Sequence, residues 1–352
     1  MKTRSLIIAA VAAFAVYSCA PKVAETTVIT GDLGADAPDQ VHITIKDAGV
    51  DKAFPVKDGK FTAEIPTCNT AQARLTAGNV VGNFVADGTP LTITLNEDKS
   101  LNVVSKYPKI SVQTRYNDYQ KALSDIQAEY EPQLAVTANE SARNKVMNAY
   151  QGAVKDLSLG VLDGNKDNIV TLAAIDNLQY LLDDDQIDSV LNVVDPSIKE
   201  VPAIKTMTTS IAARKATAEG AKFADFEVGD SKFSDYIGKG KYVLVDFWAS
   251  WCGPCKAEVP NIKNVYEKYA GENFDVLGVA VWDKPDATAK AIKSLDLPWN
   301  QIVNAQSVPT DLYGIDGIPH IILFGPDGTI LKRNLRGDAI EAEVAKYVQP
   351  VK

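Results

Sequence analysis

Seven residues that are almost all apolar, Tyr242 to Trp248, lead within a few positions into the segment Cys252-Gly253-Pro254-Cys255. A near-continuous apolar run of this length is typical of a strand that is buried on both faces of a sheet. Pro254 suits the first turn of a helix, because its missing N–H would have no partner inside the helix in any case. The sequence therefore predicts a buried strand that runs into a helix, with Cys252 at the helix N-terminus.

The rest of the last third alternates strands and helices in the same way. Further strands are predicted at 274–282, 318–324 and 329–332, and helices at 286–295 and 337–348. Long apolar strands joined by helices favour a sheet that is covered on both faces. We therefore expect an α/β domain over residues 218–352.

Residues 25–107 have a different pattern. Val41, Ile43 and Ile45 alternate with polar residues, as in a half-buried strand. The pair Asp58-Gly59 between two strand-like segments predicts a hairpin. With further short strands up to Leu95, this region is predicted to form a small β-sandwich or barrel.

From residue 111 onward apolar residues recur at spacings of three and four, as at Tyr116, Tyr119 and Leu123. This spacing predicts four or five amphipathic helices that end near Ala216. The predicted fold class is thus α/β: a β-sandwich over 25–107, an α-helical block over 111–216 and a C-terminal domain whose sheet is covered by helices.

The first residues differ from the rest. A short basic start is followed by a largely apolar run of 13 residues, Ser5 to Tyr17, which is too short for a stable membrane-spanning helix. The stretch Val16-Tyr17-Ser18-Cys19 resembles a bacterial lipobox. This resemblance implies a signal peptide over 1–19, a lipid on Cys19 and a protein tethered to the periplasmic face of a Gram-negative cell envelope, with plain secretion as the alternative.

Charge and cysteine content exclude some classes of function. The formal charge of −9 argues against nucleic acid as a partner, because no basic cluster is present to neutralise phosphates. If Cys19 carries lipid, three thiols remain, too few for the disulfide framework of a small secreted fold. Cys68 has no close partner in the sequence and is expected to be an unreactive thiol.

Two interpretations compete for Cys252 and Cys255: a metal site or a redox-active dithiol. A structural zinc usually takes two close pairs of ligands, but the chain has no second close pair, and its two histidines, His42 and His320, lie far apart in the sequence. We therefore expect no metal and no cofactor. A dithiol fits better, because unpaired N–H groups at a helix N-terminus favour a thiolate at Cys252.

The residues around the cysteines resemble a known family. Val245–Ala249 and Trp251–Lys256 resemble the thioredoxin active site almost residue for residue, and Gly317-Ile318-Pro319 resembles the segment whose cis-proline faces the dithiol. This resemblance implies a thioredoxin-like fold over 218–352, with a central mixed sheet covered by helices. Phe223–Phe226 and Cys255–Pro260 are similar to the membrane-anchored TlpA/ResA-type thiol-disulfide oxidoreductases, which are related to the AhpC/TSA proteins. The preceding domains resemble an uncharacterised region of envelope lipoproteins.

The resemblance implies a role for each site residue. Cys252 would be the attacking thiolate and Cys255 would resolve the mixed disulfide, so that the two form a reversible disulfide bond. Asp246 would be a buried carboxyl that exchanges a proton with Cys255, and Glu258 would tune the thiols by its charge. The residues expected to contact the substrate are Trp251, Gly253, Pro254, Ile318 and Pro319.

The predicted activity is the reduction of disulfides in protein clients. Such a reductase needs electrons, and the resemblance implies a DsbD/CcdA-type membrane protein as the donor. A disulfide oxidase or isomerase remains an alternative with the same chemistry. An envelope binding module that uses the thioredoxin fold as a scaffold is an alternative of a different class. A peroxidase is disfavoured, because the Pro-x-x-x-Thr-x-x-Cys pattern is not found around Cys252.

Overall fold

The computed structural model describes residues 24–137 and 139–351. The signal segment predicted over 1–19, with Cys19, lies outside the described residues. Within them, no helix combines the length and apolar character that crossing a membrane requires. The chain divides into two compact units, Met1–Leu181 and Leu182–Lys352.

The first unit contains a β-sandwich of two four-stranded sheets, with strand orders β4-β1-β7-β8 and β3-β2-β5-β6. Alternate residues of the strands point inward, so that Ile29 and Phe61 of one sheet and Ile43 and Leu75 of the other share one buried core. The predicted β-sandwich is confirmed. Its strands are β1 Thr26–Asp32, β2 Gln40–Ile45, β3 Val50–Pro55, β4 Lys60–Pro66, β5 Cys68–Ala77, β6 Val80–Ala86, β7 Leu91–Leu95 and β8 Leu101–Ser105.

The Asp58-Gly59 turn forms, but the hairpin predicted from it is wrong. Asp58 and Gly59 both have positive φ values, 50° and 76°, as a tight reversal requires. Beyond the single Lys57–Lys60 bridge, however, β3 pairs with β2 and β4 pairs with β1, so the turn connects the two sheets. Pro55 at the end of β3 has no N–H with which to extend a ladder toward β4.

Three helices complete the first unit: α1 Val112–Val136, α2 Glu140–Gly160 and α3 Ile169–Leu178. Buried Asp87, just after β6, fixes the start of α1. Its carboxylate accepts hydrogen bonds from the side chains of Thr89 and Ser111 and from the backbone N–H groups of Thr89 and Gln113. Ser111 is the N-cap of α1 and accepts from the N–H of Thr114.

The second unit is built on a five-stranded mixed sheet in the order β13-β12-β11-β14-β15, preceded by the small β9–β10 pair. Strands β11, β12 and β13 are parallel, and β14 and β15 are antiparallel to their neighbours. Its elements are α4 Asp184–Val193, α5 Pro196–Lys199, α6 Pro202–Ala216, β9 Glu227–Val228, β10 Ser231–Lys232, β11 Tyr242–Trp248, α7 Gly253–Tyr269, β12 Phe274–Ala280, α8 Pro285–Ser294, β13 Asn300–Ile302, α9 Val308–Tyr313, β14 His320–Phe324, β15 Ile330–Lys332 and α10 Asp338–Val344.

The sheet of the second unit is covered on both faces, as β11 shows. Val243, Val245 and Phe247 face one apolar cluster, whereas Leu244 packs with residues of α7 in another. The predicted α/β fold class, with a mixed sheet covered by helices, is confirmed. The helices predicted over 111–216 are distributed over both units, since α4–α6 belong to the second; the domain boundaries themselves stay predictions.

Helix α6 packs tightly against the end of α9. Gly314, the residue after α9, has φ +61°, and a Cβ atom there would lie 2.4 Å from the carbonyl oxygen of Ser210. Arg214 of α6 pairs with Asp184 of α4 and with Asp316. Helix α6 is therefore an integral part of the second unit.

Candidate active site

Cys252 is the N-cap of α7. The buried strand β11 ends at Trp248, and α7 begins at Gly253, with Pro254 in its first turn. The backbone N–H of Cys255 donates to Sγ of Cys252 over 3.1 Å. When Cys252 is reduced, an N–H group at this position and the positive end of the helix dipole stabilise its thiolate.

Cys252 and Cys255 form a disulfide bond with an S–S distance of 2.01 Å. Both cysteines are buried, with 3% and 1% of their surface exposed. Cys255 lies one turn inside α7 and packs with Trp248 and Ala249 below the helix N-terminus. Both cysteines are therefore largely shielded from solvent.

The Ile318–Pro319 segment lies against the dithiol. The peptide bond between the two residues is cis, and the carbonyl oxygen of Ile318 is 3.7 Å from Sγ of Cys252. Pro319 is buried and Ile318 is half-buried. The structure thus brings together the two cysteines and two of the residues predicted to contact the substrate.

The other residues predicted to contact substrate are exposed beside Cys252. Gly253 and Pro254 are exposed, and Trp251 has 59% of its surface accessible. The indole N–H of Trp251 donates to the carbonyl oxygen of Trp282 over 2.9 Å, which holds the ring in place. A flat apolar surface is therefore presented next to the sulfur.

Asp246 is buried in the middle of β11, with 4% of its surface exposed. Among the described residues, its Oδ1 atom has no hydrogen-bond partner. Burial, with a smaller contribution from the negative charge of Glu258, raises the pKa of Asp246 to about 7, although the positive charge of Arg336 opposes this rise. A carboxyl with such a pKa can both take up and release a proton near neutral pH.

Glu258 is half-buried on α7, three residues after Cys255. Its carboxylate accepts from the side-chain amide of Asn261 at 2.8 Å and from the backbone N–H of Gly337 at 3.0 Å. It influences Asp246 through its charge.

Arg336 is a site residue that the sequence analysis missed. Its guanidinium donates to the carbonyl oxygen of Pro319 and lies close enough to Asp246 and Glu258 to interact with both charges. Arg336 lies in a loop after β15, and only the fold brings it to the cis-proline segment. The sequence contained no local pattern that could have indicated it.

Asp283 is the second missed residue, and it anchors the loop before Cys252. Its carboxylate accepts from the N–H and hydroxyl of Ser250, at 2.6 and 2.9 Å, and from the hydroxyl of Thr288 at 2.8 Å. Burial alone would raise the pKa of Asp283, but these hydrogen bonds outweigh it and lower the pKa. An acid just past the end of a strand parallel to β11 was the available indication, since parallel strands end at the same edge.

Two further residues from the sequence analysis lie apart from this chemistry. His320 is half-buried, and burial, with the charges of Arg333 and Arg336, lowers its pKa to about 3. The imidazole is therefore neutral at ordinary pH. Cys68 is a half-buried free thiol at the start of β5 in the first unit.

Comparisons with known proteins match the C-terminal part of the chain. The family model described as AhpC/TSA family matches residues 213–333. The thiol-disulfide oxidoreductase ResA of Bacillus subtilis is 26% identical over 146 residues, which are 40% of this chain and 80% of that protein. The thiol:disulfide interchange protein HelX of Rhodobacter capsulatus is 28% identical over 153 residues, 41% of this chain and 79% of HelX.

Among solved structures, the thioredoxin domain of a thiol-disulfide oxidoreductase from Bacteroides vulgatus is 33% identical and has a TM-score of 0.34. The match covers 38% of this chain and 99% of that one. The resemblance predicted for the region before the C-terminal domain stays a prediction. Residues 213–333 form an AhpC/TSA-family domain. Because its homologues include the thiol-disulfide oxidoreductases ResA and HelX, the chain is a thiol-disulfide oxidoreductase.

Proposed function

We propose that this oxidoreductase is a lipid-anchored reductase of protein disulfides on the periplasmic face of a Gram-negative cell envelope. The observation that carries the chemistry is the placement of Cys252 Sγ at the N-terminus of α7, where it accepts the N–H of Cys255. The Gly-Pro pair between the cysteines supports the reducing direction. Thioredoxin, which has the same pair, has a potential of about −270 mV, against about −120 mV for the oxidant DsbA.

The exchange begins with the reduced dithiol. The Cys252 thiolate attacks one sulfur of a client disulfide, a mixed disulfide forms, and the other client sulfur leaves as a thiolate. Cys255 then gives its proton to the Asp246 carboxylate, and its thiolate attacks Sγ of Cys252. The second client thiolate is released, two electrons have passed to the client, and the Cys252–Cys255 disulfide of the structure results.

The exposed surface around Cys252 suits a protein client. Trp251 offers an apolar plane, and the backbone at Ile318 lies next to the sulfur and can pair with an extended client segment. To act again, the disulfide must be reduced by an electron donor, for which we propose a membrane dithiol protein of the DsbD/CcdA type.

Client trapping tests the exchange. The full-length Cys255→Ser variant should accumulate mixed disulfides with clients in cells, because the resolving thiol is missing. The Cys252→Ser/Cys255→Ser variant is the matched control and should capture none, and Cys68→Ser should behave like the unchanged protein. Equal capture by the double variant would contradict the proposal, and a cellular phenotype that survives the double substitution would favour the binding module instead.

The reduction potential tests the direction. Equilibration of the full-length protein with glutathione buffers should give a value nearer to −270 mV than to −120 mV. A value near that of DsbA would instead support the oxidase or isomerase alternative.

The anchor and the location are tested at Cys19. The unchanged protein should incorporate labelled fatty acid and sediment with membranes, and Cys19→Ser should do neither. Identical labelling and sedimentation of both proteins would contradict the anchor.

A further inference from the structure

Gln301 of β13 shares a buried face of the sheet with Asp246. Gln301 is paired with Gly278 of β12, and Gly278 is paired with Asp246 of β11. Residues paired directly on neighbouring strands project to the same face. This is the face that packs against α7, since Leu244, two residues before Asp246, clusters with Ile262 of that helix.

The carboxamide of Gln301 lies over Gly278. A Cβ atom at Gly278 would be only 2.1 Å from Oε1 and 2.6 Å from Nε2 of Gln301. The amide therefore occupies the space that a side chain on β12 would fill. Because neighbouring strands are about 4.8 Å apart, the amide lies about one strand spacing from the position of Asp246.

Trp248 fixes the orientation of this amide. Its indole nitrogen lies 3.1 Å from Oε1 of Gln301, and because an indole N–H can only donate, the amide oxygen must face it. The NH₂ group is consequently turned away from Trp248. Within the described part of the second unit, the buried side-chain atoms without a hydrogen-bond partner are Nε2 of Gln301 and Oδ1 of Asp246.

A buried donor and a buried acceptor left unpaired are both costly, and here they lie side by side on one face of the sheet. The two atoms do not bond each other, and one water that accepts from Nε2 and donates to Oδ1 would satisfy both. A buried water needs two to four polar partners. We propose that Gln301 is a positioning residue of the active site, which together with Asp246 holds one buried water that joins Nε2 to Oδ1.

The bridge has a direction. The NH₂ group of Gln301 only donates, so the water accepts from it and turns its own hydrogens toward the carboxyl of Asp246. This arrangement favours the ionised carboxylate, the form that can take the proton of Cys255. Gln301 therefore opposes the effect of burial on Asp246. The role of Gln301 in catalysis rests on the proposed disulfide exchange, whereas the water bridge does not depend on it.

Other charges near Asp246 come from different elements. Glu258 on α7 raises the pKa of Asp246, and Arg336 in the loop after β15 lowers it. Cys255, on the same helix as Glu258, becomes titratable once the disulfide is reduced. The neighbours on the sheet, Gly278 on β12 and Ile321 on β14, carry no charge.

Titration of Asp246 by carboxyl carbon NMR in the oxidised full-length protein tests the bridge. Gln301→Met removes the NH₂ donor but keeps a side chain of similar size. The midpoint for Asp246 should rise by about one pH unit, a tenfold increase in proton affinity, because the carboxylate loses one hydrogen bond. Gly278→Ala displaces the amide and should act in the same direction.

Gln301→Met also leaves the Trp248 indole without its acceptor, so Trp248→Phe supplies the control. Trp248→Phe keeps the amide of Gln301 but no longer fixes its orientation, so Gln301→Met should raise the midpoint more than Trp248→Phe alone does. An unchanged midpoint in Gln301→Met, or a high-resolution crystal structure without a water between the two side chains, would overturn the bridge.

The catalytic part has a separate readout. In the reduced protein, the pH profile of the attack by Cys255 should shift upward in Gln301→Met by the same amount as the midpoint. A midpoint that moves while this profile stays fixed would overturn the role in catalysis. A protein that proved to be no reductase of client disulfides would still show the midpoint shift, so failure of the proposed function is distinguishable from failure of the bridge.

Discussion

Each unit of the chain buries an aspartate, and the two differ in their hydrogen bonding. Asp87 in the first unit has 1% of its surface exposed and accepts four hydrogen bonds from Thr89, Ser111 and Gln113. Asp246 in the second unit has 4% exposed, and one of its oxygens has no partner among the described residues. The hydrogen bonds of Asp87 join the end of β6 to the start of α1, whereas Asp246 lacks such a set of partners.

Asp283 shows that the difference in hydrogen bonding depends on the local surroundings of each aspartate and is not a difference between the two units. It also lies in the second unit, is 6% exposed, and accepts hydrogen bonds from Ser250, Lys284 and Thr288. Its pKa is lowered, whereas the pKa of Asp246 is raised. Hydrogen bonds to the ionised carboxylate lower the pKa of Asp283, whereas burial without a partner at Oδ1 raises the pKa of Asp246.

The largest expected effect concerns stability and pH at Asp246. Its pKa is raised from 3.8 to about 7, so the folded state holds this proton more tightly than the unfolded state does. The resulting stabilisation is fully present below pH 3.8 and is lost as the pH rises through about 7. The free energy of unfolding should therefore fall, relative to that of Asp246→Asn, by up to about 4 kcal/mol between pH 4 and pH 8.

Urea unfolding of both proteins at several pH values measures this difference, with the signal taken from the tryptophans, all of which lie in the second unit. Parallel stability curves for the two proteins would show that Asp246 has an ordinary pKa and that the contrast with Asp87 is wrong.

The next largest effect is expected at Asp87. Asp87→Asn replaces one accepting oxygen by an NH₂ group, so some of the four hydrogen bonds at this buried position are lost. The substitution should lower the free energy of opening of the first unit by about 3 kcal/mol. Amide hydrogen exchange in β5–β8 measures this loss. The rate of disulfide exchange should not change, and Asp246→Asn, the reciprocal control, should leave the protection of these strands intact.

Asp283→Asn should have a smaller effect, about 2 kcal/mol at pH 7, because it weakens the anchor of Ser250. The pKa of Asp283 is lowered, so its stabilisation is present above the unfolded-state pKa and is lost as the pH falls through the folded-state value. The loss should therefore shrink in acid, opposite in sign to the behaviour of Asp246. Unfolding at pH 7 and pH 3 tests this, and an equal loss at both values would contradict it.

The smallest effects are expected from the two charges beside Asp246. Arg336→Met should raise the pKa of Asp246 and Glu258→Gln should lower it, because the first removes an opposite charge and the second a like charge. Both shifts should be within about one pH unit. The NMR titration of Asp246 measures them, and shifts of the same sign would show that charge is not what the two residues contribute.

Local sequence predicted the parts of the site that local structure builds. The apolar run of β11 followed by Gly253-Pro254 specifies a strand and a helix start, which is enough to place Cys252 and Cys255. Arg336, Asp283 and Gln301 lie on three other segments, which only the order of the sheet and the path of the loops bring to the same site. No pattern within any one segment carries that information.

The difference between local and long-range information also explains why the strand β2 was predicted correctly and the hairpin at Asp58-Gly59 was not. Alternation of apolar residues in β2 gave the strand and its buried face. The partner of β4 depended on the long pairing with β1, which lies about thirty residues earlier in the chain. A turn sequence such as Asp58-Gly59 specifies a reversal of the chain but not the sheet that the next strand joins.

The contact between Gly314 and α6 has a consequence for anyone who wishes to produce the oxidoreductase part alone. A fragment cut at the predicted boundary, beginning at Ala218, would remove the helix that covers Gly314, together with the Arg214 partner of Asp316 and the Thr217 groups that receive hydrogen bonds from Arg333. A recombinant fragment that starts at Leu182 keeps these neighbours and should give the more soluble product.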